Sequence, residues 1–176
     1  GDLNLSKLMQ LGNVKVYDRS SKDQIIDRLK DADIAIVNKV VFNETIIDRL
    51  PRLKYIALTA TGYNNLDIKY LHKKNILASN VSNYGSHAVA QHAFALILEL
   101  TNHVAQHYQD CKDEKWNQTP DFCFWSQNMT ELYQKKIGII GLGNIGFRTA
   151  MIAQAFGMEV YYHSRTDKNI NGFHFV

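Results

Sequence analysis

Short apolar runs alternate along this chain with stretches whose apolar residues recur every three or four positions. Runs at 14–17, 34–37, 55–59 and 76–78 read as strands, and the segments at 5–11, 22–30, 44–50 and 67–73 read as amphipathic helices. Two helix starts carry their own signal. Ser21 with Gln24 forms a capping-box pair, and Asn43 stands ahead of Glu44, each offering a side-chain oxygen to unpaired backbone N–H groups. Strands alternating with helices are the pattern of parallel sheets, so the fold class is α/β.

The pattern changes at Ser86. A long helix is expected over 86–109, and its centre, 88–98, is apolar nearly all round, which predicts burial on several sides. This element reads as the crossing from one domain to another, with the boundary near residue 85. Residues 110–133 hold Pro120, both tryptophans, both cysteines and the cluster Phe122, Phe124 and Trp125, with little periodicity. They read as an ordered loop whose aromatics either meet another surface or cover their own domain.

Composition narrows the function classes. At 176 residues and 45% hydrophobic the chain is globular and long enough for one domain or two small ones. The net charge of +3 comes from 20 basic and 17 acidic residues that are interspersed, which argues against nucleic acid as a partner. The N-terminus, Gly1-Asp2-Leu3-Asn4, lacks an initiator Met and the apolar core of a signal sequence, and no apolar run is long enough to span a membrane. A cytoplasmic protein is the expectation. Cys111 and Cys123 fit no Cys-x-x-Cys pattern and read as free thiols of a reducing compartment.

Gly141-Leu142-Gly143-Asn144-Ile145-Gly146 follows the apolar run 136–140 and precedes a helical pattern, with a second apolar strand at 159–163. Strand, GxGxxG and helix in that order read as a dinucleotide-binding turn. Gly141 permits the tight turn, Gly143 lets backbone approach a pyrophosphate, and Gly146 allows close strand–helix packing. The N–H groups near Asn144 and Ile145, at the positive end of the helix, favour the anion. Ile145, Thr149, Ile152 and Phe156 are expected to face the sheet, and Gly157 to end the helix.

A site preferring NAD usually ends its second strand in Asp or Glu. Here that strand runs into His163-Ser164-Arg165-Thr166, with no carboxylate at the tip. Ser164, Arg165 and Thr166 offer instead a set of donors for a 2′-phosphate, which favours NADP over NAD without excluding NAD. Asp167 comes late and reads as a solvated turn residue.

Three stretches, 59–67 (TATGYNNLD), 80–85 (NVSNYG) and the glycine turn after the long helix, together resemble the D-isomer-specific 2-hydroxyacid dehydrogenases. The stretch Pro120-Asp121-Phe122-Cys123-Phe124-Trp125 is similar to the glycerate dehydrogenase (hydroxypyruvate reductase) branch. The resemblance implies two parallel-sheet domains: a flavodoxin-like substrate domain over 1–85 and a Rossmann NAD(P)-binding domain begun by 111–176, joined by a crossing helix over 86–110. It also implies an oxidoreductase that transfers hydride between NAD(P)H and a small 2-keto or 2-hydroxy acid, and a homodimer. By resemblance the backbone N–H groups of Thr61 and Gly62 hold the substrate carboxylate, and Tyr84 faces the substrate. The family's catalytic Arg, Glu and His come from a segment after the second dinucleotide strand, so no residue of this chain takes a catalytic role.

Two departures accompany the likeness. Ala93 stands where the family often has Thr, which removes one hydroxyl near the cofactor. Both domains are expected to be incomplete in this chain, the first lacking its opening strand and the second continuing through the strand begun at 172–176, so that the 176 residues alone are expected to be inactive. Other readings are a dinucleotide-sensing, corepressor-like regulator and an inactive fragment. His103 and His107 stand four apart on a helical pattern, but two imidazoles without a further ligand do not make a metal site. Cys123 has no matched base, and His87 and His92 read as structural.

Overall fold

The chain divides between Ser82 and Asn83 into two compact units, and in each the strands form a three-stranded parallel sheet. The computed structural model describes residues 4–176; residues 1–3, read above for a signal sequence, lie outside the described residues. In chain order the first unit holds α1 (Ser6–Met9), α2 (Gln24–Leu29), β1 (Ile34–Val37), α3 (Glu44–Ile47), β2 (Tyr55–Leu58), α4 (Ile68–Lys73) and β3 (Leu77–Asn80). The second holds α5 (Ser86–Asn102), α6 (Val104–Lys112), a 3₁₀ turn (Lys115–Gln118), β4 (Lys136–Ile140), α7 (Asn144–Ala155), β5 (Glu159–His163) and β6 (Phe173–Phe175). The mixed α/β class with parallel sheets is therefore the observed one. No helix among the described residues is long and apolar enough to cross a membrane.

In the first unit β2 lies between β1 and β3, with Ile56 beside Ala35 on one side and Ala78 on the other. Successive side chains of β2 alternate in burial, and Ile56 and Leu58 join Phe42, Ile47, Leu50, Leu53, Leu66, Leu71 and Ile76 in the core. Asn43 caps α3, its side chain accepting the Ile46 N–H at 3.0 Å. At α2 half of the expected capping box forms: Gln24 accepts the Ser21 N–H at 3.1 Å, and the helix begins with no side-chain cap at Asp23.

The expected strand at 14–17 is absent. The neighbouring segment is fastened to α2 instead, where the Arg28 guanidinium covers the Tyr17 ring and donates to the Arg19 carbonyl and the Ser20 hydroxyl. Alternation gives a segment the side chains of a strand, but a strand also needs a neighbouring backbone to pair with.

In the second unit β5 lies between β4 and β6. Val160 and Tyr162 of β5 point into a core with Leu132, Leu142, Ala150, Ala153 and Phe173. The long helix expected over 86–109 is two helices, broken at His103, whose left-handed backbone (φ 50°) ends α5. The Glu99 carboxylate then accepts the Ala105 N–H at 3.2 Å and caps the new helix. Its apolar centre is not buried on several sides either. Ser86, Ala90 and Phe94, one helical stripe, are the buried residues of α5, while Val89, Leu96 and Leu100 are exposed. Phe94 stacks on Phe156 at 5.4 Å between ring centres, just beyond α7. His103 is also the first residue bounding α6, and its carbonyl accepts the His107 N–H at 3.0 Å.

The face of α7 also differs from expectation. Ala150 and Ala153 are buried, with Phe147 and Ile152 packed against the same core, whereas Ile145 and Phe156 are exposed and Thr149 returns its hydroxyl to the Ile145 carbonyl. Small residues face the sheet because helix and strand approach closely there. Gly157, at φ +71°, ends the helix as expected.

Residues 110–133 are ordered around a buried carboxylate. Asp110 accepts from Lys115 Nζ at 2.7 Å, from Gln106 Nε2 at 2.8 Å and from the Ser126 hydroxyl. Trp116 meets Phe124 edge-on, while Phe122, 91% exposed, and Trp125 point away from the unit's core.

Candidate functional site

The glycine turn links β4 to α7, and each glycine is held by a different constraint. Gly141 has φ +94°, a backbone conformation that a side chain would strain. A Cβ on Gly146 would lie 2.2 Å from the Gly141 carbonyl oxygen and 3.2 Å from Ile139 Cγ2, so glycine is required for the helix to close on the strand. A Cβ on Gly143 would meet nothing within 4 Å. The structure thus leaves open space at the middle glycine of the turn.

Leu142 is buried beneath the turn and anchors it. Among the described residues the amides of Gly143, Asn144 and Ile145 donate to no protein acceptor, while the Phe147 N–H already pairs with the Gly143 carbonyl at 2.8 Å. Free donors, open space and the positive end of a twelve-residue helix make a cradle for an anion. The Asn144 side chain is turned aside, donating to Asn83 Oδ1. Asn83, in left-handed backbone (φ 63°), carries no sequence signal of this role beyond its place before Tyr84.

The Gly141 N–H donates to the His163 carbonyl at 2.8 Å and draws the tip of β5 to the turn. Ser164, Arg165 and Thr166 follow at once. The Ser164 hydroxyl donates to the Thr166 carbonyl at 2.6 Å, and Arg165, exposed, has no ion-pair or hydrogen-bond partner among the described residues. Asp167 is more than a solvated turn residue. It accepts from the hydroxyl of Tyr162, a side chain buried in the core, and from the Asn169 N–H at 2.8 Å. The Tyr162 hydrogen bond holds the Asp167 carboxyl below the usual carboxylate range, while burial first, and the Asp167 carboxylate second, push the Tyr162 phenol up.

The other expected residues fall as follows. Thr61 and Gly62 lie in the first unit, in the loop after β2. Asn80 Nδ2 donates to the Thr61 carbonyl at 2.7 Å, Thr61 Oγ1 donates to the Val81 carbonyl at 3.0 Å, and the Val81 N–H reaches Ala60 at 3.1 Å. Among the described residues the Thr61 and Gly62 amides donate to no protein acceptor. Asn80 was not singled out by sequence, although it belongs to the NVSNYG stretch. Tyr84, 68% exposed, opens the second unit ahead of α5. Among the described residues no three His, Cys, Asp or Glu side chains gather as a metal would require.

Fold and turn together define a protein of parallel α/β construction with a glycine-rich turn whose free amides open a helix. A family profile described as D-isomer specific 2-hydroxyacid dehydrogenase, catalytic domain, matches residues 3–161, and the chain belongs to that family. It is 41% identical over 163 residues to a hydroxypyruvate reductase of Blautia hydrogenotrophica, covering 91% of this chain and 51% of the relative. It is 31% identical over 138 residues to a glycerate dehydrogenase of Methylorubrum extorquens, covering 78% and 44%. Among solved structures, an acyclic imino acid reductase (Bsp5) in complex with NADPH and D-Arg superposes with a TM-score of 0.79 at 31% identity, over 98% of this chain and 55% of that one. A D-lactate dehydrogenase from Aquifex aeolicus, complexed with NAD and lactic acid, gives 0.79 at 28% identity, over 98% and 51%. The chain spans about half the length of the curated relatives it matches. Family and complexes alike support nicotinamide-dinucleotide binding and leave the choice between NADP and NAD open.

Proposed function

We propose that the protein to which this chain belongs reduces a small 2-keto acid, hydroxypyruvate or glyoxylate, with NADPH in preference to NADH. The glycine turn carries the reading: three amides without protein acceptors among the described residues lie at the start of a helix, with open space at Gly143. Gly143, Asn144 and Ile145 bind the pyrophosphate through backbone, Gly141 and Gly146 shape the turn, and Ser164, Arg165 and Thr166 receive the 2′-phosphate. The bound nicotinamide supplies a hydride to the carbonyl carbon of the keto acid, and a proton goes to its oxygen.

On this reading 1–85 is a substrate domain, 86–110 a crossing helix and 111–176 part of a Rossmann domain. The Thr61 and Gly62 amides hold the substrate carboxylate and Tyr84 faces the substrate. The exposed Phe122 and Trp125 support a homodimer, and two exposed, unpaired cysteines support the reducing cytoplasm. The test is Arg165→Asp in the full-length protein. The expected result is a loss of NADPH affinity of about a hundredfold, typical of losing a charge-assisted phosphate contact, against little loss for NADH. Equal losses would overturn the phosphate assignment.

A further inference from the structure

We propose that Tyr162 and Asp167 are positioning residues for cofactor selection: the buried phenol locks the Asp167 carboxylate, and the locked carboxylate shapes the 164–169 loop that presents Arg165 to a 2′-phosphate. The inference rests on the dinucleotide reading above and goes beyond it to the residues that hold the loop.

Four contacts carry it. The Tyr162 side chain, 1% exposed, is fixed in the core, so its hydroxyl is a rigid post rather than a mobile surface group. That hydroxyl donates to Asp167 Oδ1 and accepts the Lys168 N–H at 3.0 Å. The same Oδ1 accepts the Asn169 N–H at 2.8 Å. Ser164 closes the other half of the loop through its hydrogen bond to the Thr166 carbonyl. The loop needs such fastening, because it leads from β5 to β6 with no helix of its own and Asn169 sits at φ 50°.

The same contacts limit how Asp167 can be presented to a ligand. A carboxylate near the end of the second strand is the group that would accept the ribose hydroxyls of NAD. Asp167 Oδ1 is instead taken up by Tyr162 and Asn169, which fixes this carboxylate in the loop. Charge supports the division: Asp167 is held ionised through the neutral range and Tyr162 is held protonated, so the phenol remains the donor. Arg165, two residues before Asp167, is left without a protein partner among the described residues.

The experiment compares full-length protein carrying Tyr162→Phe, Asp167→Ala or Asp167→Asn with its parent, by calorimetric titration with NADPH and with NADH, and by amide hydrogen exchange over 164–169 without nucleotide. Tyr162→Phe keeps the buried ring, and Asp167→Asn keeps the acceptor oxygen without the charge. Tyr162→Phe and Asp167→Ala are expected to weaken NADPH about tenfold or more, as removal of a supporting shell does, with NADH changed little. They also speed exchange at Lys168 and Asn169, whereas Asp167→Asn stays near the parent in both readouts. A purely electrostatic role would make both Asp167 variants bind NADPH more tightly, and that result would overturn the proposal, as would equal losses for the two nucleotides. A parent that binds neither nucleotide, or prefers NADH, would instead bring down the reading beneath it.

Discussion

The Gly141 carbonyl oxygen stands 2.2 Å from where a Cβ of Gly146 would lie. That is well inside the 3.0 Å below which real Cβ contacts are essentially never found, and the atom met is backbone, which cannot rotate away as a side chain can. Gly146→Ala therefore has to lever α7 off β4. It is expected to cost about 3 kcal/mol, at the upper end of ordinary overpacking, in chemical denaturation followed by circular dichroism. An unchanged denaturation midpoint would mean that helix and strand are not in register as described.

Asp110 should make the 104–126 region sensitive to acid. The Lys115 ammonium first, and the Ser126 hydroxyl and Gln106 amide after it, hold its carboxyl at about 2, against an ordinary 3.8. Because the folded value is the lower one, the stabilisation is complete above 3.8 and is lost as pH falls through about 2. Emission from Trp116 and Trp125 is expected to shift over that window in the parent. Asp110→Asn, already loosened at neutral pH, should show no such shift; a parent-like acid transition in the variant would assign the transition to another group.

Asn80 should matter to the substrate and not to the nucleotide. It fixes the Thr61 carbonyl from the end of β3 and so orients the Gly62 N–H of the same peptide plane. Asn80→Ala in the full-length protein is expected to raise KM for the keto acid about tenfold, as the loss of a supporting hydrogen bond does, with the NADPH dissociation constant unchanged. An unchanged KM would remove the Thr61–Gly62 amides from carboxylate binding.

Much of this was legible in the residues. Strand periodicity located the β1, β2, β4 and β5 segments closely and β3 to within two residues; alternate side chains of β2 and β5 are buried, whereas β3 is exposed along its length. The glycine turn was legible because its constraints are local: a positive φ at Gly141 and a close approach at Gly146 exclude other residues. The absent strand at 14–17 was not, since pairing depends on a second segment and not on the run itself. The break at His103 carried no Gly or Pro, and the Glu99 side chain that caps the following helix lies six residues before the amide it serves. The Tyr162–Asp167 contact was hidden for a similar reason: a tyrosine in a strand reads as an apolar body, and the reach of its hydroxyl appears only in three dimensions.

The most direct test of the dinucleotide cradle is a calorimetric titration of full-length Gly143→Ala with NADPH, beside its parent and with thermal unfolding measured on both. The added methyl meets no protein atom within 4 Å, so folding stability is expected to stay within about 1 kcal/mol of the parent. The nucleotide, whose pyrophosphate must come against that backbone, is expected to bind at least about tenfold more weakly. Parent-like affinity in the variant, or no binding heat from the folded parent, would contradict a pyrophosphate at the 143–145 amides.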